Sequence, residues 1–246
     1  MKKLSFWKAD WFLGFIVALV MLVAMGGDLI QSLERKAYDL GVQATSRMPS
    51  DRIAVIAIDD SSIANIGRWP WSRDVHARMV DLLAGAKVKV IANTTFFFES
   101  QRDAGLGYIE KLLKLHAELA AQDAAIPGKT ANDALPRMGT VLAEAEQTLN
   151  TDRQLAGSMQ RAGNVVLPMV FRHLAEPQGN PDQPLPGYVA ANSMAGPGSA
   201  AALPPPGIFP LYPIAELGSV AAGIGHLNAD IDVDGAVRAE PLLVRY

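Results

Sequence analysis

The chain of 246 residues contains no cysteine, which excludes disulfide staples, thiolate metal sites and cysteine nucleophiles. Aromatic residues are few, at 7%, and neither sign of charge dominates: 22 basic against 25 acidic side chains leave a formal net charge of -3. So balanced a chain has no global field for holding a polyphosphate backbone, and nucleic acid is not an expected partner. Walker and Gly-x-Gly-x-x-Gly sequences are missing, and no Gly-x-Ser-x-Gly elbow surrounds Ser61 and Ser62. The histidines, His76, His116, His173 and His226, are scattered, with no i, i+4 pair of the kind that binds zinc.

What the chain does have is 50% hydrophobic residues, enough to bury a real core. From Trp11 to Gly27 it carries no charge, with Lys2, Lys3 and Lys8 before this run, Asp28 and Glu34 after it, and Trp7 and Trp11 at its edge. The pattern predicts a transmembrane signal anchor over 11–27 and a cytoplasmic N-terminus over 1–10, with residues 28–246 exported across the membrane. A cleaved signal peptide is the competing reading, because Ala24 and Gly26 offer small residues for a cleavage site. Leu29, Leu33, Ala37 and Leu40 then recur on one face of a further helix.

Residues 53–58 are a short, continuous, β-branched apolar run, which suits a strand buried on both faces and stopped by Asp59 and Asp60. Ser72 or Asp74 can cap a helix with Val75, Met79, Leu82, Leu83 and Ala86 in helical spacing, and Val88, Val90, Ile91 and Ala92 read as the next strand. Strand, helix and strand make a parallel βαβ unit. A later helix through Leu155, Ala156 and Met159 ends at Gly163 and leads into a strand from Val165 to Val170. The fold class expected is α/β: an N-terminal transmembrane helix followed by a layered, largely parallel sheet domain.

Two insertions interrupt this pattern. Residues 104–150 carry two helical stripes separated by Pro127, Gly128 and Pro136, and predict a helical hairpin. Residues 174–213 hold ten of the 16 prolines and predict a long loop without regular elements, with partial disorder over 181–206. Near the end, Asp234-Gly235 between apolar stretches predicts a β-hairpin. Asp230, Asp232 and Asp234 also match early positions of a calcium loop, but Pro241 stands where the bidentate Glu is needed.

Two sets of residues draw attention as a possible site. Asp59, Asp60 and Glu99 follow apolar runs, where ligands sit in open parallel sheets, and could hold a divalent cation or a cationic solute, or pair with Arg68 and Arg73. Trp69 and Trp71 flank Pro70 and make an aromatic and basic corner that either stacks on a ligand or plugs the core.

The same segments carry a resemblance. Residues 34–39 (Glu-Arg-Lys-Ala-Tyr-Asp), the run 55–60 ending in Asp59-Asp60, the stretch Gly67-Arg68-Trp69-Pro70-Trp71-Ser72-Arg73, and Asp234-Gly235-Ala236-Val237-Arg238 with Pro241-Leu242 are similar to the CHASE2 family of bacterial extracytoplasmic sensor domains. One departure is Thr94, where the family usually has an Asp after the second apolar run. The resemblance implies a non-catalytic sensory input module, without a cofactor, that answers an unknown small-molecule or protein stimulus. It implies further membrane helices and a cytoplasmic output in the same chain, a protein kinase or nucleotide cyclase, so that the sequence to Tyr246 reads as truncated; a homodimer is one arrangement considered. The alternatives are a periplasmic metal-dependent enzyme using Asp59, Asp60 and Glu99 on Mg²⁺, or a structural module whose hairpin docks a partner or a second copy.

Overall fold

The computed structural model describes residues 10–25, 28–45, 48–125, 133–172, 184–194 and 204–246. Lys2, Lys3, Trp7, Lys8, Gly26, Gly27, Pro127, Gly128, His173 and the parts 174–183 and 195–203 of the proline-rich stretch lie outside the described residues. The chain divides into two units, Met1–Asp60 and Ser61–Tyr246.

In the first unit the uncharged run forms helix α1, Asp10–Met25, followed by α2, Asp28–Ala44. The expected transmembrane anchor over 11–27 is corrected here. Among the described residues no helix is long and apolar enough to cross a membrane. The 16 residues of α1 reach about 24 Å at about 1.5 Å per residue, against a hydrocarbon core of about 30 Å. A second correction concerns residues 53–58, which form no strand; Ile53 and Val55 are 74% and 88% exposed. A β-branched run becomes a strand only when a neighbouring backbone takes up its N–H and C=O groups, and among the described residues no such ladder includes it.

The second unit opens with α3, Asp60–Ile66, whose first residue closes the first unit, and continues with α4, Arg73–Gly85, and the two-residue strand β1, Ile91–Ala92. Helices α5, Leu106–Ala124, and α6, Ala134–Leu149, are the two arms of the expected hairpin, and α7, Thr151–Ala162, leads into the long strand β2, Val165–Arg172. Then come α8, Gly187–Ala190; β3, Ile208–Leu211; α9, Ala215–Gly218; β4, Gly223–His226; and the antiparallel pair β5, Asp230–Ile231, with β6, Val237–Ala239.

Strand β2 organises the sheet. It pairs in parallel with β1 at Val165 and Val166 and with β4 from Val166 to Met169, so β1 and β4 lie on opposite edges. Its far end pairs antiparallel with β3, so the sheet is mixed. Pro168 falls after the last residue paired to β1 and before the first paired to β3, which is where a central strand tolerates a missing N–H. Asn228 extends β4 with its side chain, accepting from Phe171 N–H at 2.9 Å and donating to the Phe171 carbonyl at 2.6 Å. Both β3 and α8 lie inside the stretch expected to be irregular. Proline forbids a ladder N–H but not a carbonyl acceptor, so Pro210 is compatible with a sheet strand opposite Phe171.

Helix α7 forms for reasons visible locally. Asn150 Oδ1 accepts from Arg153 N–H at 3.1 Å as an N-cap, and Gly163 at φ +65° provides the left-handed C-cap. Its Leu155, Ala156 and Met159 pack with Ala77 and Val80 of α4, Ile91, Phe97, Val165, Leu167 and Leu217. The inward face of α4 is therefore Arg73, Ala77 and Val80, and Met79 and Leu82 of the expected stripe are exposed. Apolar spacing alone admits either face; the small Ala77 lets α7 approach closely. A second cluster joins Met169, Phe171, Val189 and Ile224.

Candidate functional site

The Gly67–Arg73 stretch sets the N-terminus of α4. The peptide bond between Trp69 and Pro70 is cis, and Trp71 Nε1 donates to the Gly67 carbonyl at 2.8 Å, which closes the loop on itself. The indoles of Trp69 and Trp71 meet edge to face at 5.4 Å, and both approach the His76 ring, at 5.9 and 6.5 Å. His76 in turn meets buried Phe97 edge to face at 5.4 Å. The rings pack against one another, and both indoles are half-buried. Burial, then the nearby Arg73 charge, holds His76 below its ordinary pKa, partly offset by Asp74.

Arg73 turns inward from the same loop. Its guanidinium is ion-paired to Asp152, donates to the Glu99 carbonyl, and lies 5.0 Å from the centre of the Phe97 ring. Arg73 and Asp152 are 8% and 4% exposed, so the pair is shielded from solvent. Gln101 completes the arrangement: its side-chain oxygen accepts from Arg73 N–H at 2.8 Å and from Thr151 Oγ1 at 3.2 Å, and its own N–H donates to Asp152 at 3.0 Å. The first turns of α4 and α7 are thereby tied to one residue. The N-terminal turns of two helices converge where the Asp152 carboxylate is buried.

Beside this latch lies a polar cleft of about 750 Å³ walled by α4, α6 and α7. Three ion pairs line it: Arg78 with Asp74 at 3.2 Å, Arg153 with Glu146 at 3.2 Å, and Arg161 with Asp81 at 3.0 Å. Ser158 donates to Asp81 at 3.0 Å from the floor of α7. Each guanidinium remains mostly exposed, so a solute in the cleft can reach it without breaking into the core. Arg153 follows Asp152 directly in sequence, so the cleft wall and the buried pair share the first turn of α7.

Of the residues singled out in the sequence, Trp69 and Trp71 come together, Arg73 turns inward to Asp152, and Arg68 is exposed. The Glu99 side chain is exposed, and its backbone carbonyl takes the hydrogen bond from Arg73; Thr94 is exposed as well. Asp59 and Asp60 belong to the first unit and Glu99 to the second. Asp232 and Asp234 both pair with Arg238, at 2.8 Å, across the β5–β6 turn, where Gly235 takes φ +83°. Among the described residues no group of three or more histidines and carboxylates is arranged to hold a metal ion. Sequence reasoning missed Gln101, Asp152 and the cleft pairs. Asp152 reads locally as an ordinary first-turn acid, and its partner is 79 residues away.

Comparison with curated proteins and with solved structures found no match. A family model described as the CHASE2 domain matches residues 15–246. That match takes in the aromatic loop, the buried pair and the cleft together, and the chain belongs to the CHASE2 family of extracytoplasmic sensor domains.

Proposed function

We propose that this sensory, non-catalytic domain is the input part of a bacterial transmembrane signalling receptor, relaying a stimulus to a cytoplasmic output such as a protein kinase or nucleotide cyclase. The membrane crossing is not assigned to α1. Family membership supports the sensory role, and one geometric observation carries the mechanism: Arg153 of the cleft wall and Asp152, which pairs with buried Arg73 of α4, are consecutive residues of α7. Three guanidinium and three carboxylate groups line the cleft, a pattern that fits a small polar solute bearing both signs of charge. Such a solute competes for Arg153 and Arg161, and its binding energy biases how α7 sits on α4. A stimulus that binds one arrangement better shifts the population and with it the output.

The test uses the native gene product in cells. Autophosphorylation and cyclic-nucleotide content are measured for the wild type, Arg153→Glu and Arg161→Glu, with Arg153→Lys as the conservative control. The expected result is an output changed about tenfold by the charge reversals and little by Arg153→Lys, in line with loss of one charged contact. No kinase or cyclase output, or an output indifferent to both reversals, would overturn the proposal.

A further inference from the structure

The helical hairpin carries a second apolar stripe that its own packing leaves uncovered. On α5 the residues turned toward α6 are Leu106, Ile109, Leu113, His116 and Ala120, all buried or half-buried. One position before four of them stand Tyr108, Leu112, Leu115 and Leu119, which are 69%, 46%, 51% and 41% exposed. Their spacing is i, i+4, i+7 and i+11, the seam of a coiled coil. On α6 the exposed Met138 and Val141 likewise stand one position before Gly139, which packs under the His116 ring, and buried Leu142. His116 also bonds the Leu135 carbonyl at 2.8 Å, so the start of α6 runs beside the later turns of α5. In antiparallel neighbours, the same one-position offset turns both stripes to the same side of the hairpin. Six apolar side chains therefore form one two-helix face.

The charges along this face say what covers it. Lys111 and Glu118 flank the α5 seam on the edge away from α6, each one position before a seam leucine. The Lys111 ammonium lies 5.5 Å from the Tyr108 ring, close beside the seam. Laid antiparallel on a second copy of α5, with Leu112 opposite the second copy's Leu115 and Tyr108 opposite its Leu119, the seam matches itself. That register brings Lys111 of each copy toward Glu118 of the other, twice per pair, as a two-fold interface requires.

We propose that the α5–α6 hairpin is a homodimer interface, with two copies packed face to face as an antiparallel four-helix assembly. This face shares no residue with the lining of the polar cleft and stands whether or not the cleft binds a solute.

The absence of native cysteine allows a direct test on the full chain. In the variant Lys111→Cys/Glu118→Cys the two thiols are seven residues apart, about 10.5 Å along one helix, too far for an internal disulfide, which needs Cα atoms within about 7 Å. The control Lys114→Cys/Ala121→Cys has the same spacing on another face of α5. At micromolar concentration with mild oxidant, the first pair should give a disulfide dimer on a non-reducing gel at least about tenfold faster than the control, as thiols held within disulfide geometry do. A charge-reversed Lys111→Glu or Glu118→Lys chain should sediment with a dimer Kd raised about tenfold, and the double reversal should restore it to near the wild type. Equal cross-linking of both pairs, a wild-type chain that stays monomeric, or a double reversal no better than the single ones would overturn the proposal.

Discussion

Arg73 closes the loop that begins at Gly67, and its side chain is fully committed to Asp152, the Glu99 carbonyl and the face of Phe97. A buried pair of this kind contributes little when whole, because desolvation offsets attraction, but it is costly to break. Asp152→Ala should therefore lower stability by about 3–5 kcal/mol, read as a fall in the urea midpoint. Replacing both partners, Arg73→Met with Asp152→Leu, should recover most of that loss; a double variant as unstable as Asp152→Ala would show that the pair is not what failed. His76 gives a pH signature. Its folded pKa lies below the ordinary 6.5, with burial as the larger cause and Arg73 the next, so the unfolded chain takes up the proton first. The stabilising effect is full above that value, is lost as pH falls through 6.5 toward the folded pKa, and is constant below it. Urea midpoints at about pH 7.5 and about pH 5 should differ more for the wild type than for His76→Phe, which keeps a ring against Phe97.

At the scale of elements, helices with local caps could be read in advance and strands without long ladders could not. Asn150, Leu155, Ala156, Met159 and Gly163 mark α7 from start to stop within one stretch of chain. The apolar run of β2 was equally plain, and β1, β3 and β4 supply the neighbouring backbones that make it a strand. Residues 53–58 show the opposite case: their composition is that of a strand, yet strand formation depends on a partner backbone that composition cannot supply. β3 was hidden among prolines for the converse reason, since a sheet edge excuses the N–H that proline lacks. In the candidate site, Trp69, Trp71 and Arg73 were legible as a compact motif. Gln101, Asp152, Glu146 and Arg153 were not, because each is an unremarkable polar residue until α4, α6 and α7 meet.

For the whole molecule, the distribution of burial is lopsided. Every buried apolar side chain among the described residues lies at Ala77 or later, and both core clusters fall within the second unit. Residues 61–246 expressed alone should then unfold cooperatively, with Tm within about 3 °C of the full chain, since the described residues of the omitted part bring no buried core to the transition. Calorimetry of the two proteins checks this, and a fragment without a transition would mean that the first unit is needed to complete the fold.

The amino-acid sequence by itself determined the absence of thiol chemistry, the helix-capped α7, the central apolar strand, the helical hairpin and the motif by which the family is recognised, because each rests on composition or on residues within a few turns of one another. Only the tertiary structure decided that α1 is too short to span a bilayer, that Arg73 is buried against Asp152, and that three helices enclose a cleft lined with paired charges. Those outcomes depend on where elements stop and which distant side chains they bring together, and contacts across 50 to 80 residues leave no periodic trace in the chain.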